Sequence, residues 1–413
     1  MFRHDVADAA LGRSEFALDA PLVHALGDPH VENFGVLQAA DGTLAIEPND
    51  FDAADLGPYL LDVRRLGASL VLAATLANAQ NESARAAAAS IRREVAFDMA
   101  RAYVEGLEGS LRGDAANDLS GGAIAADLLA RATKDAASRD ELTELTVLEG
   151  TQRTLKRGVV SPGDADELVD VPPWLSRELP ALLLRLRSTL VSPPDASFFQ
   201  VLDAARRYGS GVASLPRVRL LVLLRGASDA PPDDVLVELK EIFESTTGAV
   251  VPPARRFGSV ANRIVESSRA AWRRPDADPL WTAGEALGFT WQMRTESEAH
   301  KNLRVARLEG ALGTPEALRA LARLQGGLLA RVHAAPTREE VAPASRLRAH
   351  LAGREAAFAE EQASVSVLFA ERALEDATRL AGIIESKGPL LGAIVEPTRV
   401  VAPLAELYGD RGP

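Results

Sequence analysis

The sequence predicts an α+β fold of two lobes, a large helical lobe and a small antiparallel β lobe. Two patterns predict it. Apolar residues recur at helical spacing over most of the chain, and short alternating runs bounded by turn residues cluster at 21–52 and 200–245. The 413 residues exceed the length at which one hydrophobic core usually stops growing, so more than one packed unit is expected.

The first β region surrounds a polar loop. The apolar run PLVHAL leads into GDPHVENFG, and the next stretch, FGVLQAADGTLAIEP, holds two apolar runs joined by Asp41-Gly42, a strong hairpin signal. The hairpin ends in the carboxylate-rich turn PNDFDAADLGP. This order predicts that a short hairpin folds the second acidic segment back beside the first.

Helical patterns fill most of the remaining chain. Residues 60–110 read as helix, and residues 111–195 read as mostly helical with irregular breaks. Thr314-Pro315-Glu316 predicts a helix start, because it combines a capping residue, a proline at the first position and an acid in the first turn. The apolar stripes of these helices are Ile91, Val95, Met99, Ala102 and Leu107, and Leu318, Leu321, Leu324, Leu328 and Val332.

The second β region follows a glycine-rich stretch. RYGSGVASLPRVRLLVLLRG ends in an apolar run, and VLVELKEIF alternates like a half-buried strand. ANRIVESSRAAWRR then has a helical pattern, and ALGFTWQMR is strand-like. Further helices are expected from residue 314 to about 396.

Composition excludes several classes of protein. The net charge of −12, with both signs interspersed, argues against a nucleic-acid partner. The absence of cysteine excludes disulfides and thiolate sites, and we find neither a membrane-spanning run nor a secretory signal, so a cytoplasmic protein is expected. Composition does not indicate the oligomeric state.

The loop and the hairpin have the residues of a phosphoryl-transfer site. Such sites need a carboxylate that accepts a hydroxyl proton, ligands for Mg²⁺ and a cation on the nucleotide phosphates. Asp28 and Asn33 have the D-x-x-x-x-N spacing of a kinase-type base and metal-binding amide, and Asp50 arrives after the hairpin. His30 has three possible roles: supporting its own loop, orienting Asp28 or binding metal.

The second β region supplies the remaining parts. GSGVAS offers a turn for phosphates through Gly209, Ser210, Gly211 and Ser214. Lys240 lies on the alternating strand among apolar neighbours, where its ammonium would suit the α- and β-phosphates. Glu266, on the helix-like segment, is the expected partner of Lys240.

Each part also has a purely structural interpretation. The D-x-x-x-x-N spacing occurs often by chance, NDFD can cap the following helix, and glycines before a strand usually form a turn. Lys240 can protect an edge strand, and Glu266 can be a solvated helix residue. The functional interpretation rests on the complete set, with each part on the expected kind of element.

The order of these parts differs from that of an ordinary kinase. The catalytic loop and metal hairpin come first and the nucleotide-binding strands follow, as a circular permutation would produce. We therefore expect four segments: the catalytic loop, metal hairpin and following helices in 1–110, a helical segment in 111–197, a nucleotide-binding β lobe with a helix in 198–295, and the C-terminal helices of the large lobe in 296–413.

The chain resembles the bacterial domain-of-unknown-function 2252 family over nearly its whole length. The resemblance rests on FRHDVADAAL, GDPHVENFG, NDFDAADLGPYLLDVRRLGASLVLAA, GSGVASLPRVRLLVLLRG, LVELKE, NRIVESSRA, FTWQMR and LLARVHA. The loops of that family are similar to those of aminoglycoside and choline phosphotransferases, which are protein-kinase-like enzymes. The resemblance therefore implies ATP, Mg²⁺ and a phosphorylated hydroxyl.

The resemblance also implies a role for single residues. Asp28 resembles the catalytic base, Asn33 the metal-binding amide, and Asp50 the second metal carboxylate, with Asp52 as the nearby substitute. Asp62 resembles a buried support of the catalytic loop. Lys240 resembles the phosphate-binding lysine and Glu266 its partner, whereas Ser214 departs from a glycine of the family pattern.

The expected function is ATP- and Mg²⁺-dependent transfer of a phosphoryl group to a hydroxyl of an unknown small molecule or protein. The alternatives are a catalytically silent nucleotide-binding or scaffold protein on the same fold, motivated by Ser214, and a nucleotidyl (AMP) transferase. A metal-dependent phosphoesterase fits poorly, because such sites need several histidines and the six in this chain are widely scattered.

Overall fold

The computed structural model describes residues 14–77, 91–112, 121–138, 140–159, 167–208, 217–244 and 257–388. It is an α+β structure with antiparallel sheets, as the sequence predicts. The helices are α1 (Tyr59–Leu76), α2 (Arg92–Arg112), α3 (Gly122–Ala136), α4 (Asp140–Leu145), α5 (Pro173–Arg187), α6 (Val260–Ala271), α7 (Pro315–Ala334), α8 (Pro343–Leu351) and α9 (Glu355–Lys387). The strands are β1 (Leu22–Ala25), β2 (Phe34–Gln38), β3 (Leu44–Pro48), β4 (Asp55–Pro58), β5 (Thr146–Glu149), β6 (Gln152–Leu155), β7 (Gly158–Val159), β8 (Glu167–Asp170), β9 (Val201–Tyr208), β10 (Arg219–Leu224), β11 (Val235–Glu241), β12 (Thr282–Ala286), β13 (Phe289–Glu296) and β14 (Lys301–Asn302).

Helices α1, α2, α7 and α9 form the main helical core. The predicted start of α7 is confirmed, because the Thr314 hydroxyl accepts the backbone N–H of Ala317 at 3.3 Å. Gly326 lies against the backbone of Met99 so closely that a Cβ there would meet the Met99 carbonyl oxygen. The residues of both predicted apolar stripes are buried.

The hairpin predicted at Asp41-Gly42 is confirmed. Strands β2 and β3 pair antiparallel from Gln38–Leu44 to Phe34–Pro48, and Gly42 takes the positive φ that the turn needs. Strand β14 pairs with β2 and so brings the chain that leaves β13 alongside the hairpin.

The largest sheet is antiparallel and has seven strands in the order β12-β13-β11-β10-β9-β8-β7. Because side chains alternate along each strand, one face buries Leu220, Val237, Trp291 and their neighbours against α5. The opposite face is apolar toward β8, through Leu221 and the residues packed with it, and charged near the ends of β10 and β11.

The segment 111–197 differs from its predicted helical character. It contains α3, α4 and α5, but also strands β5 to β8, of which β7 and β8 extend the large sheet. These strands are two to four residues long, so they are too short to show alternation in the sequence. Within the described ranges, no helix is both long and apolar enough to span a bilayer.

Candidate functional site

A buried carboxylate supports the loop that carries Asp28. Asp62, on α1, accepts the backbone N–H of Leu26 at 2.6 Å and that of Gly27 at 2.9 Å. Gly27 has φ +77°, a conformation that favours glycine at the turn into the loop. Asp62 therefore supports this loop, as the family resemblance implied.

A buried histidine and tyrosine extend this support. His333 Nε2 lies 3.2 Å from Asp62 Oδ2, and His333 Nδ1 lies 2.9 Å from the Tyr103 hydroxyl. Asp62 and His333 are fully buried. Because buried polar groups are costly without partners, this chain of contacts fixes the position of Asp62.

Asp28 and Asn33 belong to one structured turn. Asn33 Nδ2 donates to the backbone carbonyl of Asp28 at 2.9 Å, which leaves its amide oxygen as an acceptor. Arg65 Nε donates to Asp28 Oδ1 at 2.6 Å, and the Asp28 side chain remains about half exposed. Burial lowers the pKa of His30, although the Asp28 charge opposes this effect, so burial favours the neutral imidazole.

The end of the hairpin presents two carboxylates with different surroundings. Asp50 Oδ1 accepts the backbone N–H of Asp52 at 3.0 Å. Burial alone would raise the pKa of Asp50, but the Lys240 ammonium and this hydrogen bond outweigh it and hold the pKa below its ordinary value. Burial and the Asp50 charge raise the pKa of Asp52, although Lys240 opposes both.

Lys240 meets this acidic end directly. Its Nζ lies 2.5 Å from Asp52 Oδ2, and Arg217 binds the same oxygen. Lys240 and Asp50 also line one cavity of about 190 Å³ between the hairpin and the large sheet. The cavity is lined by His30, Glu32, Asn33, Asn49, Asp50, Arg219, Glu238, Lys240, Gln292, Arg294, Asn302 and Arg304.

The sheet wall of the cavity is organised around Glu238, which is 1% exposed. Arg294 Nε lies 3.1 Å from Glu238 Oε1, Arg219 binds Oε2, and Arg207 lies 3.8 Å from Oε2. Burial alone would raise the pKa of Glu238, but Arg294 and Arg219 lower it to about 2. The sequence pattern does not reveal this cluster. Alternation on β11 places Glu238 on the same face as Lys240, but only the pairing with β10 and β13 brings the arginines to it.

Helix α6 contributes a residue other than the expected one. The Lys240–Glu266 pair is not formed, because Arg338 binds Glu266 instead, 3.2 Å from Arg338 Nε to Glu266 Oε2. Arg263, one turn earlier and 3% exposed, donates to the carbonyls of Asp52 at 3.1 Å and Phe243 at 2.8 Å. Arg263 therefore ties the acidic turn to the chain that follows β11.

The remaining predicted phosphate-binding residues, Gly209, Ser210, Gly211 and Ser214, lie outside the described residues. Within the described ranges, no group of three or more His, Asp or Glu side chains is placed to hold a metal ion. Mg²⁺ commonly keeps several waters and needs only one or two carboxylates, so Asp50 and the Asn33 amide oxygen suit it. Asp52 suits it less, because Lys240 and Arg217 share one of its oxygens, although Oδ1 has no hydrogen-bond partner among the described residues.

A family model described as an uncharacterized protein conserved in bacteria (DUF2252) matches residues 1–380. The match covers most of the chain, which therefore belongs to this family. No curated protein and no solved structure matches the chain.

Proposed function

We propose that this DUF2252 member is an ATP- and Mg²⁺-dependent phosphotransferase with a circularly permuted, protein-kinase-like arrangement of two lobes. One observation carries the proposal: Asp50 and Lys240, which are distant in the sequence, line the same cavity. A base loop, a metal-binding carboxylate and a phosphate-binding lysine are the parts that phosphoryl transfer requires. Residues of the Asp28 loop and of the hairpin end line one side of this cavity, and residues of the large sheet line the other.

The proposed reaction uses Asp28 as the base. The acceptor hydroxyl gives its proton to the Asp28 carboxylate as its oxygen attacks the γ-phosphorus of ATP. The bond from that phosphorus to the β–γ bridging oxygen breaks, and ADP leaves. Because Arg65 binds Oδ1, the Oδ2 atom of Asp28 is the one left to take the proton.

The other residues position charge. Lys240, now paired with Asp52, would turn its ammonium toward the phosphates, and Asn33 with Asp50 would hold Mg²⁺. The ion, when bound, neutralises negative charge on the phosphate oxygens. The lowered pKa of Asp50 keeps this carboxylate ionised for that role.

The test is a melting experiment with ATP in the presence and absence of Mg²⁺, combined with a measurement of ATP turnover. Asp50→Ala and Lys240→Ala are expected to abolish the Mg²⁺-dependent melting shift. Asp28→Asn is expected to keep the shift and lose turnover. The control is Asp229→Ala, which removes an exposed carboxylate that pairs with Arg225 away from the cavity. If the Asp50 and Lys240 variants bind MgATP like the parent, the proposal is wrong.

Product analysis separates the related activities. Tight ATP binding with no transfer to any acceptor or to water would identify a silent nucleotide-binding protein, which the Ser214 departure favours. A nucleotide-sized mass added to an acceptor would identify AMP transfer instead of phosphoryl transfer.

A further inference from the structure

The cavity wall around Glu238 carries more cationic side chains than the one phosphate-binding lysine, because Arg219 and Arg294 line it beside Lys240. We infer that the site recognises its donor mainly through the phosphate chain, so that inorganic tripolyphosphate binds in the same cavity as ATP. This inference rests on the proposed function and names the class of donor, a linear phosphate chain of at least three units.

Strand register produces the cluster. Arg219 on β10 lies directly across from Lys240 on β11, and Arg294 on β13 lies directly across from Glu238. Since Lys240 and Glu238 are two residues apart on one strand, all four side chains project from the same face. Three cations therefore share one wall of the cavity, facing Asp50.

Glu238 holds the two arginines in defined positions. Its carboxylate is bound by Arg219 and Arg294, and its pKa of about 2 keeps it ionised throughout the physiological range. A guanidinium carries five N–H donors in a planar fork. Such fixed forks match the oxygens of a phosphate chain.

The remaining lining points to the same class of ligand. Apart from these residues, the cavity wall consists of amides, an imidazole and further charged groups such as Arg304 and Glu32. In the part of the chain that the structure describes, this wall includes neither a Phe, Tyr or Trp ring nor an aliphatic side chain on which a base could stack. Polar and charged contacts to phosphates are thus the contacts that this wall can offer.

The experiment is calorimetric titration of the full chain, in excess Mg²⁺, with sodium tripolyphosphate, ATP, GTP and adenosine. We expect the dissociation constants of tripolyphosphate and GTP to lie within about tenfold of that of ATP. Both should compete with ATP, and adenosine should not bind. Arg219→Gln and Arg294→Gln should each weaken the binding of tripolyphosphate and of ATP by about tenfold or more, because each variant removes charge-assisted hydrogen bonds.

Arg157→Gln is the matched control, because Arg157 bridges Asp170 and Asp203 on the same sheet but does not line the cavity. If a glutamine variant unfolds, replacing the same arginine by lysine keeps the positive charge and removes only the forked guanidinium. That lysine variant should lose a few-fold in affinity for tripolyphosphate and ATP. If ATP binds and tripolyphosphate binds more than about a hundredfold more weakly than ATP, this inference is wrong and the phosphotransferase proposal is unaffected. Failure of both ligands to bind would overturn both.

Discussion

The two faces of the seven-stranded sheet share their strands but differ in chemistry beside the cavity. One face packs Leu239, Trp291 and Met293 against α5, in a core that is fully buried. The other face presents Glu238, Lys240 and Arg294, at the intervening positions of the same strands, to the cavity. One residue of shift along the strand separates an apolar side chain from a charged one.

The difference between the faces indicates which of them serves stability and which serves binding. Replacing a buried ion pair by apolar residues of similar volume is often neutral or stabilising, so charge is a poor way to hold a sheet together. Glu238 is nevertheless buried at this wall, and its partners Arg219 and Arg294 are only partly exposed. We infer that the apolar face stabilises the sheet and that the charged face is retained for its ligand.

The largest effect is expected on the apolar face. Trp291→Ala removes the largest fully buried side chain and should lower the free energy of unfolding by about 3–5 kcal/mol. Urea denaturation measures this loss. At a temperature where the variant is folded, its affinity for MgATP should match that of the parent; a large loss of affinity there would break the division between the faces.

A somewhat smaller loss is expected on the charged face. Glu238→Gln leaves Arg219 and Arg294 without their buried counter-charge, and should destabilise the protein by about 3 kcal/mol. Urea denaturation at neutral pH measures it. Unlike Trp291→Ala, this variant should also change phosphate affinity in the folded state, and unchanged affinity would contradict the role assigned to the charged face.

Glu238 should also make the stability of the protein depend on pH. The folded pKa of Glu238, about 2, lies below its ordinary value of 4.5, so its stabilising contribution is complete above 4.5 and is lost as the pH falls toward 2. The difference in unfolding free energy between parent and Glu238→Gln should therefore shrink across that interval. A difference that stays constant from pH 5 to pH 2 would refute the assignment.

The loop that carries Asp28 should respond through its geometry. In Asp62→Asn, the amide cannot accept both backbone N–H groups and keep the His333 contact as the carboxylate does. The variant should therefore lower the free energy of unfolding by about 1–3 kcal/mol and lower ATP turnover. Asp98→Asn is the control, because Asp98 is also a buried aspartate but binds Arg319 and Arg323 away from the loop. Equal loss of turnover in both variants would show that the effect is not specific to the loop.

The smallest effect is expected at Glu266. Its pair with Arg338 is largely exposed, so Glu266→Gln should change stability by at most about 1 kcal/mol and leave MgATP affinity unchanged. Arg263→Lys, one turn earlier, should weaken MgATP binding, because Arg263 ties down the acidic turn. The two titrations, compared side by side, decide which α6 residue serves the site; a loss confined to Glu266→Gln would reverse our assignment.

Local patterns in the sequence determined much of this protein. Asp41-Gly42 specified a hairpin, Thr314-Pro315 a helix start, and alternation placed Glu238 and Lys240 on one face of a strand. These features depend on residues within a few positions of each other, where backbone geometry and capping act directly. The order of acidic loop, hairpin and lysine strand was also readable, and it led to the candidate site.

Tertiary structure alone decided which charges meet. Arg219 and Arg294 reach Glu238 only because β10 and β13 flank β11. Lys240 binds Asp52 rather than Glu266 because the acidic turn after the hairpin reaches Lys240, whereas Glu266 pairs with Arg338. The short strands β7 and β8 join the large sheet for the same reason. Whether a charged residue is solvated or buried with partners depends on pairing between distant segments, and local sequence carries no information about that pairing.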